Sequence, residues 1–320
     1  MLSTVDTNWC GEALTHQALL YGSEEEFLAG TVPIIQDGVD HGDPIRIVTT
    51  VRNAGWLRRA LGADAQQVVF DDSSEWYRHP VRALAAVYHA VQAAVADGQQ
   101  LRMIGEPWWT ARTGPARREL ARCESLVNVA LASANAALVC TYDARVADSE
   151  VVAQAARTHP ELVVAGDTRP SPSYTDPAVF SAECDKSPLP APPSWAVELP
   201  FYRLDQLVTL RGFITSYASW AGATAQEFEQ FLQAVDEVVT NAIEHGGGSG
   251  VLRVWTDQQT MSCEVSDTGA GLRDPLAGHL PPPPGRVGGL GLWLARHFSD
   301  LVELRTDSTG TTVRMHLVLN

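Results

Sequence analysis

Apolar positions in the first half of the chain alternate between two rhythms. Over Glu24–Gln36, Phe27, Leu28, Val32 and Ile35 fall at helical spacing. Ile45–Thr50 is then a short β-branched run, which predicts a strand. The alternation continues with a helix at Ala54–Leu61, a strand at Val68–Asp71, a helix at Val81–Val95 and a strand at Leu101–Ile104. A helix at Arg117–Leu131, a strand at Ala137–Tyr142 and a helix at Ser149–Thr158 complete it. Strands and helices in this order predict βαβ units, hence a mainly parallel sheet with helices on both faces.

The rhythm stops between Asp167 and Pro200. Pro170, Pro172, Pro177, Pro188, Pro190, Pro192, Pro193 and Pro200 crowd this stretch. Proline fixes φ and removes a donor, so the stretch is expected to be a linker or an extended wrap without regular structure. Beyond it the order changes. A long amphipathic helix is expected over Leu204–Ala221, and a second over Ala225–His245, opened by a Thr224/Glu227 capping box. Strands follow at Val251–Thr256 and Met261–Asp267. After a Gly/Pro-rich loop come a helix at Leu290–Ser299 and strands at Leu301–Thr306 and Thr311–Leu319. This grouping predicts an α+β sandwich, an antiparallel or mixed sheet with helices on one face. The chain thus divides into residues 1–177, a Pro-rich linker at 178–199, and residues 200–320.

Composition narrows the function classes. The formal net charge is −15, with a pI near 4.9, so long-range repulsion argues against nucleic acid and anionic membrane as partners. Cys10, Cys123, Cys140, Cys184 and Cys263 are scattered. They form no C-x-x-C pair and no Cys/His cluster with zinc spacing, which fits a reducing compartment. No basic and apolar leader opens the sequence, and no apolar run is long enough to span a bilayer. A cytoplasmic location is the expectation.

The chemistry-bearing positions lie near the C-terminus. Glu237, Asn241 and His245 recur every four residues and line one helical stripe, with Gly246 following. A carboxylate and an amide oxygen on one stripe suit a hydrated Mg²⁺, and Glu237 could also act as a base. The plainer reading is a polar stripe facing water. Asp267-Thr-Gly269-Ala-Gly271 follows a strand; the Asp could accept from an exocyclic amine and the glycines permit close approach. A common D-x-G turn is the alternative. Gly288-Gly289-Leu290-Gly291 opens a helix whose free N–H groups could hold phosphate, with Arg286 placed to reach its terminal end. No Gly-Lys-Ser/Thr follows, so this is not a Walker A loop. Gly310-Thr311-Thr312 closes the set.

These blocks resemble the N, G1, G2 and final boxes of the GHKL ATPase superfamily, which includes gyrase, heat-shock chaperone, mismatch-repair and histidine-kinase ATPases. The Glu-x-x-x-Asn-x-x-x-His-Gly pattern at Glu237–Gly246 is most similar to the anti-sigma factor serine kinase branch, and the resemblance spans Pro200–Asn320. It implies an ATP and Mg²⁺ site. In it Glu237 is the general base toward a substrate serine, Asn241 holds Mg²⁺, and His245 completes the N box. Asp267 meets the adenine amine with Thr311 or Thr312 nearby, while Gly269 and Gly271 shape the base pocket. Gly288, Gly289, Leu290 and Gly291 meet the phosphates, and Arg286 stabilises γ-phosphate charge. Residues Arg273–Val287 would be the lid over the nucleotide, stiffened by Pro281–Pro284.

The first half holds no catalytic motif. The segments around His16–Tyr21, Glu25–Leu28, Gly38–Gly42, Gly105–Trp108, Cys123–Asn128 and Cys140–Asp143 resemble the MEDS family, the sensory domain of methanogen and methylotroph regulators. That resemblance implies a RecA-like α/β outline over Leu14–Pro177. The P-loop position, taken as Val51–Trp56 after the strand at Ile45, lacks a lysine, so no ATP hydrolysis is expected here. Glu106, Glu124, Asn128, Tyr142 and Asp143 fall at strand ends or on a facing helix, where α/β proteins place ligands. They are the candidate sensory site for a small ligand. Alternatively, Glu124 and Asn128 pair with Arg117 or cap loops. Trp108 and Trp109 are expected as core or interface aromatics.

Three functions follow from these resemblances. The first is a cytoplasmic regulator in which the N-terminal domain controls an ATP-dependent serine kinase acting on an anti-sigma antagonist. The second is a module that sequesters a sigma factor or antagonist without turnover. The third is a histidine-kinase-like sensor acting in trans, since no helical segment with a phosphorylatable His precedes the ATPase half. A homodimer fits any of them.

Overall fold

The computed structural model describes residues 13–109, 112–186, 188–221, 225–257, 259–274, 276–279 and 290–319. The chain forms two compact units, Met1–Pro177 and Ala178–Asn320.

The first unit opens with β1 (Thr15–Tyr21), α1 (Glu24–His41), β2 (Ile45–Thr49), α2 (Val51–Leu61) and β3 (Val68–Asp72). It continues with α3 (Ser73–Trp76), α4 (Pro80–Ala96), β4 (Leu101–Gly105), α5 (Gly114–Ala130), β5 (Ala136–Asp143) and α6 (Ser149–Thr158). A hairpin of β6 (Glu161–Val164) and β7 (Asp167–Pro170) ends it. The sheet order is β3-β2-β4-β5-β1-β6-β7. Only β6 and β7 run antiparallel, so the expected mainly parallel α/β sheet is present.

Parity along the strands assigns the two faces. Leu19, Tyr21, Ile47 and Val139 pack with Phe27, Ile34 and Ile35 of α1 and Leu57 of α2. His16, Met103, Leu138 and Cys140 lie on the other face, with Leu84 and Val87 of α4 and Leu120, Glu124 and Val127 of α5. The sequence reading missed β1, because Thr15-His16-Gln17 breaks the apolar run. The strand nevertheless sits between β5 and β6, with all but its first and sixth residues buried. This moves the first βα turn of the domain to Gly22–Glu26, not Val51–Trp56. Ser23 caps α1 there by accepting from Glu26 N, and Glu24, Glu25 and Glu26 fill its first turn. Carboxylates at that position repel phosphate.

The second unit begins with α7 (Pro177–Lys186) and β8 (Val197–Phe201), followed by α8 (Leu207–Ala221) and α9 (Ala225–Glu244). Then come β9 (Gly250–Asp257), β10 (Thr260–Asp267), α10 (Gly291–Phe298), β11 (Leu301–Asp307) and β12 (Gly310–Val318). The sheet order is β11-β12-β10-β9-β8, and every neighbouring pair is antiparallel. Leu252, Val254, Met261, Cys263, Val265, Val313 and Met315 turn inward onto Phe231, Val235, Val238 and Val239 of α9 and Ile214 of α8.

The linker expectation needs correction. β7, α7 and β8 all fall within Asp167–Phe201. The prolines are accommodated because Pro177 starts a helix and Pro200 lies in β8, an edge strand. Residues 188–194 line a groove on the outer face of the sheet with Glu264, Ser266 and Arg314, and Arg314 Nη2 donates to the Pro190 carbonyl at 2.7 Å. Thr224 of the expected capping box lies outside the described residues.

Candidate functional site

In the second unit the four blocks converge because glycines let backbones meet. A Cβ built on Gly246 would lie 2.5 Å from Asp267 Cγ, and one on Gly269 would lie 2.7 Å from the Gly246 Cα. The end of α9 therefore abuts the turn after β10. Gly310 has φ of 151°, and a Cβ there would lie 2.1 Å from the Asp267 carbonyl. Gly271 has φ of 75°, with its Cβ direction blocked by the Asp307 carbonyl at 2.1 Å. No larger residue fits these positions without moving main chain. Asp267 Oδ1 accepts from Gly269 N at 2.9 Å and from Thr311 N at 3.2 Å. One carboxylate oxygen is thus held by two backbone N–H groups.

Thr311 and Thr312 separate. Adjacent strand residues point to opposite faces. Thr311 Oγ1 meets Thr306 Oγ1 at 3.3 Å, and Thr306 Oγ1 in turn accepts from Leu272 N at 2.7 Å, beside Gly271. Thr312 Oγ1 instead meets Ser266 Oγ at 3.2 Å and lines the outer groove with Arg314. Of the two threonines, Thr311 is the one at the Asp267 turn.

One to two turns back from that end of α9, Glu237 and Asn241 face the start of α10. A Cβ on Gly291 would lie 2.5 Å from Asn241 Nδ2 and 3.2 Å from Glu237 Oε2. Gly291 is the first residue of α10, with Leu290 as its N-cap, so free helix N–H groups open beside the polar stripe. His245 is 76% exposed, with Glu244 at 4.0 Å, and belongs to the rim. The preceding Asp236 pairs with Arg211 of α8 at 3.2 Å. Burial pushes its carboxyl up, Arg211 pulls it down, and Glu237 adds to the rise. Arg286, Gly288 and Gly289 lie outside the described residues, as does Pro281–Pro284 of the lid.

The candidate sensory residues of the first unit divide into two neighbourhoods. Glu106 and Asp143 close the C-terminal ends of β4 and β5. With Thr50, Arg52, Trp108, Trp109 and Tyr142 they line a cavity of about 200 Å³. The two tryptophans are therefore cavity walls as well as packed aromatics. Glu106 is fully engaged. It accepts from the Thr49 hydroxyl, from Thr50 N at 3.1 Å, from Asn53 Nδ2 at 3.0 Å and from the Tyr21 hydroxyl at 3.1 Å. Asp143 pairs with Arg52 at 2.9 Å and Arg145 at 2.6 Å. Burial raises its carboxyl, but the hydrogen bonds from Arg145 and Arg52 outweigh that and leave it below the usual range.

Glu124 and Asn128 lie elsewhere, on α5 beneath the opposite sheet face. Arg117 does not reach them; it pairs with Asp148 at 2.7 Å. Asn128 Oδ1 instead meets His16 Nδ1 at 2.9 Å, and Glu124 Oε2 lies 3.5 Å from His159 Nε2. Tyr142 stands between the neighbourhoods. Its ring lines the cavity and sits edge-on to His159, with centroids 5.8 Å apart. Burial and then Glu124 raise its phenol. Sequence reasoning missed His16 and His159 as site residues. The only signal available was that each is a polar residue at the edge of an apolar segment.

Comparison with known families agrees with this division. Residues 15–160 match the MEDS family, described as the methanogen/methylotroph, DcmR sensory domain. Residues 202–317 match the histidine kinase-like ATPase domain. No curated protein matches the chain. No helix among the described residues is long and apolar enough to cross a membrane. The chain therefore carries a MEDS sensory domain followed by a histidine kinase-like ATPase domain of the GHKL type.

Proposed function

We propose that this signalling regulator is an ATP-dependent protein serine kinase of the anti-sigma type, governed by a ligand at its sensory domain. The observation that carries it is the seating of Gly291 against Asn241 and Glu237. It sets a helix N-terminus beside a carboxylate and an amide on one stripe. Transfer of a phosphoryl group needs positioning and charge stabilisation more than covalent participation by protein groups. ATP with Mg²⁺ supplies the phosphoryl group and the countercharge.

The residues present fit that ligand. Asp267 and Gly269 orient the base, Asn241 offers its side-chain oxygen to the metal, and Leu290 and Gly291 present backbone to phosphate. Glu237 Oε2 takes the proton from the substrate hydroxyl. A protein antagonist of an anti-sigma factor supplies that serine, in the cytoplasm.

The test is radiolabelled transfer to candidate antagonist proteins by the full chain, beside Glu237→Gln. The expected result is acid-stable phosphate on serine. Glu237→Gln should abolish it, with ATP binding retained. Acid-labile phosphate would assign histidine-type transfer. Nucleotide binding with no transfer to any partner that the chain captures would leave sequestration as its role.

A further inference from the structure

His16, Glu124, Cys140 and His159 are far apart in sequence, yet one ligating atom from each falls within 4.8 Å of all the others. They come from β1, α5, β5 and the residue after α6. Parallel pairing of β1 with β5 sets Ala18 beside Cys140 and His16 beside Leu138, so His16 and Cys140 share a face. Glu124 reaches that face from the helix above, and His159 enters from the side. All four are buried.

The surrounding hydrogen bonds prepare the imidazoles. Asn128 Nδ2 donates to the Ser125 carbonyl at 3.1 Å and the Thr158 carbonyl at 2.8 Å, which turns Oδ1 toward His16 Nδ1. His159 Nδ1 lies 2.9 Å from the Ala155 carbonyl, which can only accept. Both rings therefore carry hydrogen on Nδ1 and aim Nε2 at the cluster. Such second contacts on the far nitrogen are how proteins orient metal-binding histidines.

The centre is unsatisfied as it stands. His159 Nε2 and Glu124 Oε2 have no hydrogen-bond partner, although both are buried. They face one another at 3.5 Å. Cys140 Sγ lies 3.6 Å from His16 Nε2. The first separation is long for a hydrogen bond, and the second is within hydrogen-bonding reach for sulfur. Both match edges of a tetrahedron about a zinc ion, roughly 3.3–3.6 Å for the usual Zn–N and Zn–S bond lengths, and all four ligating atoms lie within 4.8 Å of one another. Burying a carboxylate is costly, and a cation at the centre offsets that cost.

We propose that His16, Glu124, Cys140 and His159 form a closed site for one divalent transition ion of the zinc class. Nitrogen, sulfur and oxygen donors together suit such an ion and not Mg²⁺ or Ca²⁺. On binding, the Cys140 thiol loses its proton to solvent and the sulfur becomes a ligand. Thiolate and Glu124 carboxylate then cancel the charge of the ion, so the buried centre is neutral. Leu84, Val87, Met103, Leu120 and Val127 line the small apolar cavity beside it, which keeps water away. Tyr142 joins this centre to the sensory cavity, so the ion braces one wall of that cavity.

The full chain should be stripped with a chelator and titrated with Co²⁺, then with competing Zn²⁺. We expect one ion per chain with a thiolate-to-cobalt charge-transfer band. That band should be absent from Cys140→Ala, and affinity should fall about 10- to 100-fold in Asn128→Ala, which touches no metal. X-ray absorption of the zinc-loaded wild type, which needs no variant to fold, should report one sulfur and three nitrogen or oxygen neighbours. No thiolate band in folded wild type, an ion held equally by Cys140→Ala, or a sulfur-free shell would each overturn the proposal. The cluster would then be a proton-bridged His159–Glu124 pair.

Discussion

Replacing Gly291 by Ala tests the phosphate end of the site with the smallest possible change. The added Cβ would lie 2.5 Å from Asn241 Nδ2 and 3.2 Å from Glu237 Oε2, whereas ordinary contact starts at 3.4 Å. Asn241 belongs to α9, whose Val238, Val239 and Ala242 are locked in the core, so the helix cannot retreat. Its side chain must swing aside by about 1 Å, a displacement that can cost on the order of 100-fold in rate, or about 2.7 kcal/mol of barrier. Folding should be nearly unaffected, because only the tip of one flexible side chain moves. The assay pairs titration of ATP and Mg²⁺ with phosphotransfer rate and a thermal melt. Gly212→Ala serves as control. That residue is exposed in α8 with no heavy atom within 4 Å of its Cβ position, so it should gain about 0.5–1 kcal/mol of stability and leave transfer intact. Unchanged binding and transfer in Gly291→Ala, with the melt preserved, would refute the placement of phosphate between α9 and α10.

Further outcomes follow from buried charges. Glu264 and Arg314 pair at 2.5 Å on the outer sheet face, both nearly buried. Glu264→Ala should therefore cost about 3 kcal/mol, read from the denaturant midpoint, because the guanidinium loses its countercharge. An unchanged midpoint would mean that solvent reaches the pair. Asp143 has a folded pKa below its unfolded value. Its contribution is complete above the ordinary carboxylate pKa of about 3.9 and disappears as pH falls through the lower folded value. Asp143→Asn should flatten the acid limb of the stability profile below about pH 4 without altering its slope near neutrality. A variant whose acid limb matches wild type would show that Arg52 and Arg145 contribute nothing there.

Much of the architecture was legible because it is local. Helical spacing located α2, α4, α6 and α9 to within a few residues, and β-branched runs located β2 and β3. The polar stripe Glu237, Asn241, His245 needs only the pitch of one helix. The Asp267 turn needs only its own glycines. Elements that failed local tests were missed. β1 carries His16 and Gln17 in a buried central strand, and β7, α7 and β8 lie in a proline-dense stretch. β1 and β8 are held by strands distant in sequence, β5 and β9, whereas β7 pairs with its hairpin neighbour β6.

Sequence alone determined which segments could be strands or helices, which glycines permit close approach, and the order of the nucleotide-site blocks. Tertiary structure decided which side chains meet. Strand parity sent Thr311 toward Asp267 and Thr312 to the opposite face. Packing of strand ends and helices put Glu106 among four donors and Glu124, on α5, beneath the other sheet face. It also gathered His16, Glu124, Cys140 and His159 from four elements. A helix stripe or a turn is set by bonds over a few residues, and periodicity reports it. A cluster assembled by sheet register and helix docking depends on contacts over 100 residues of separation, such as His16 with Asn128, 112 positions away. No local pattern encodes that.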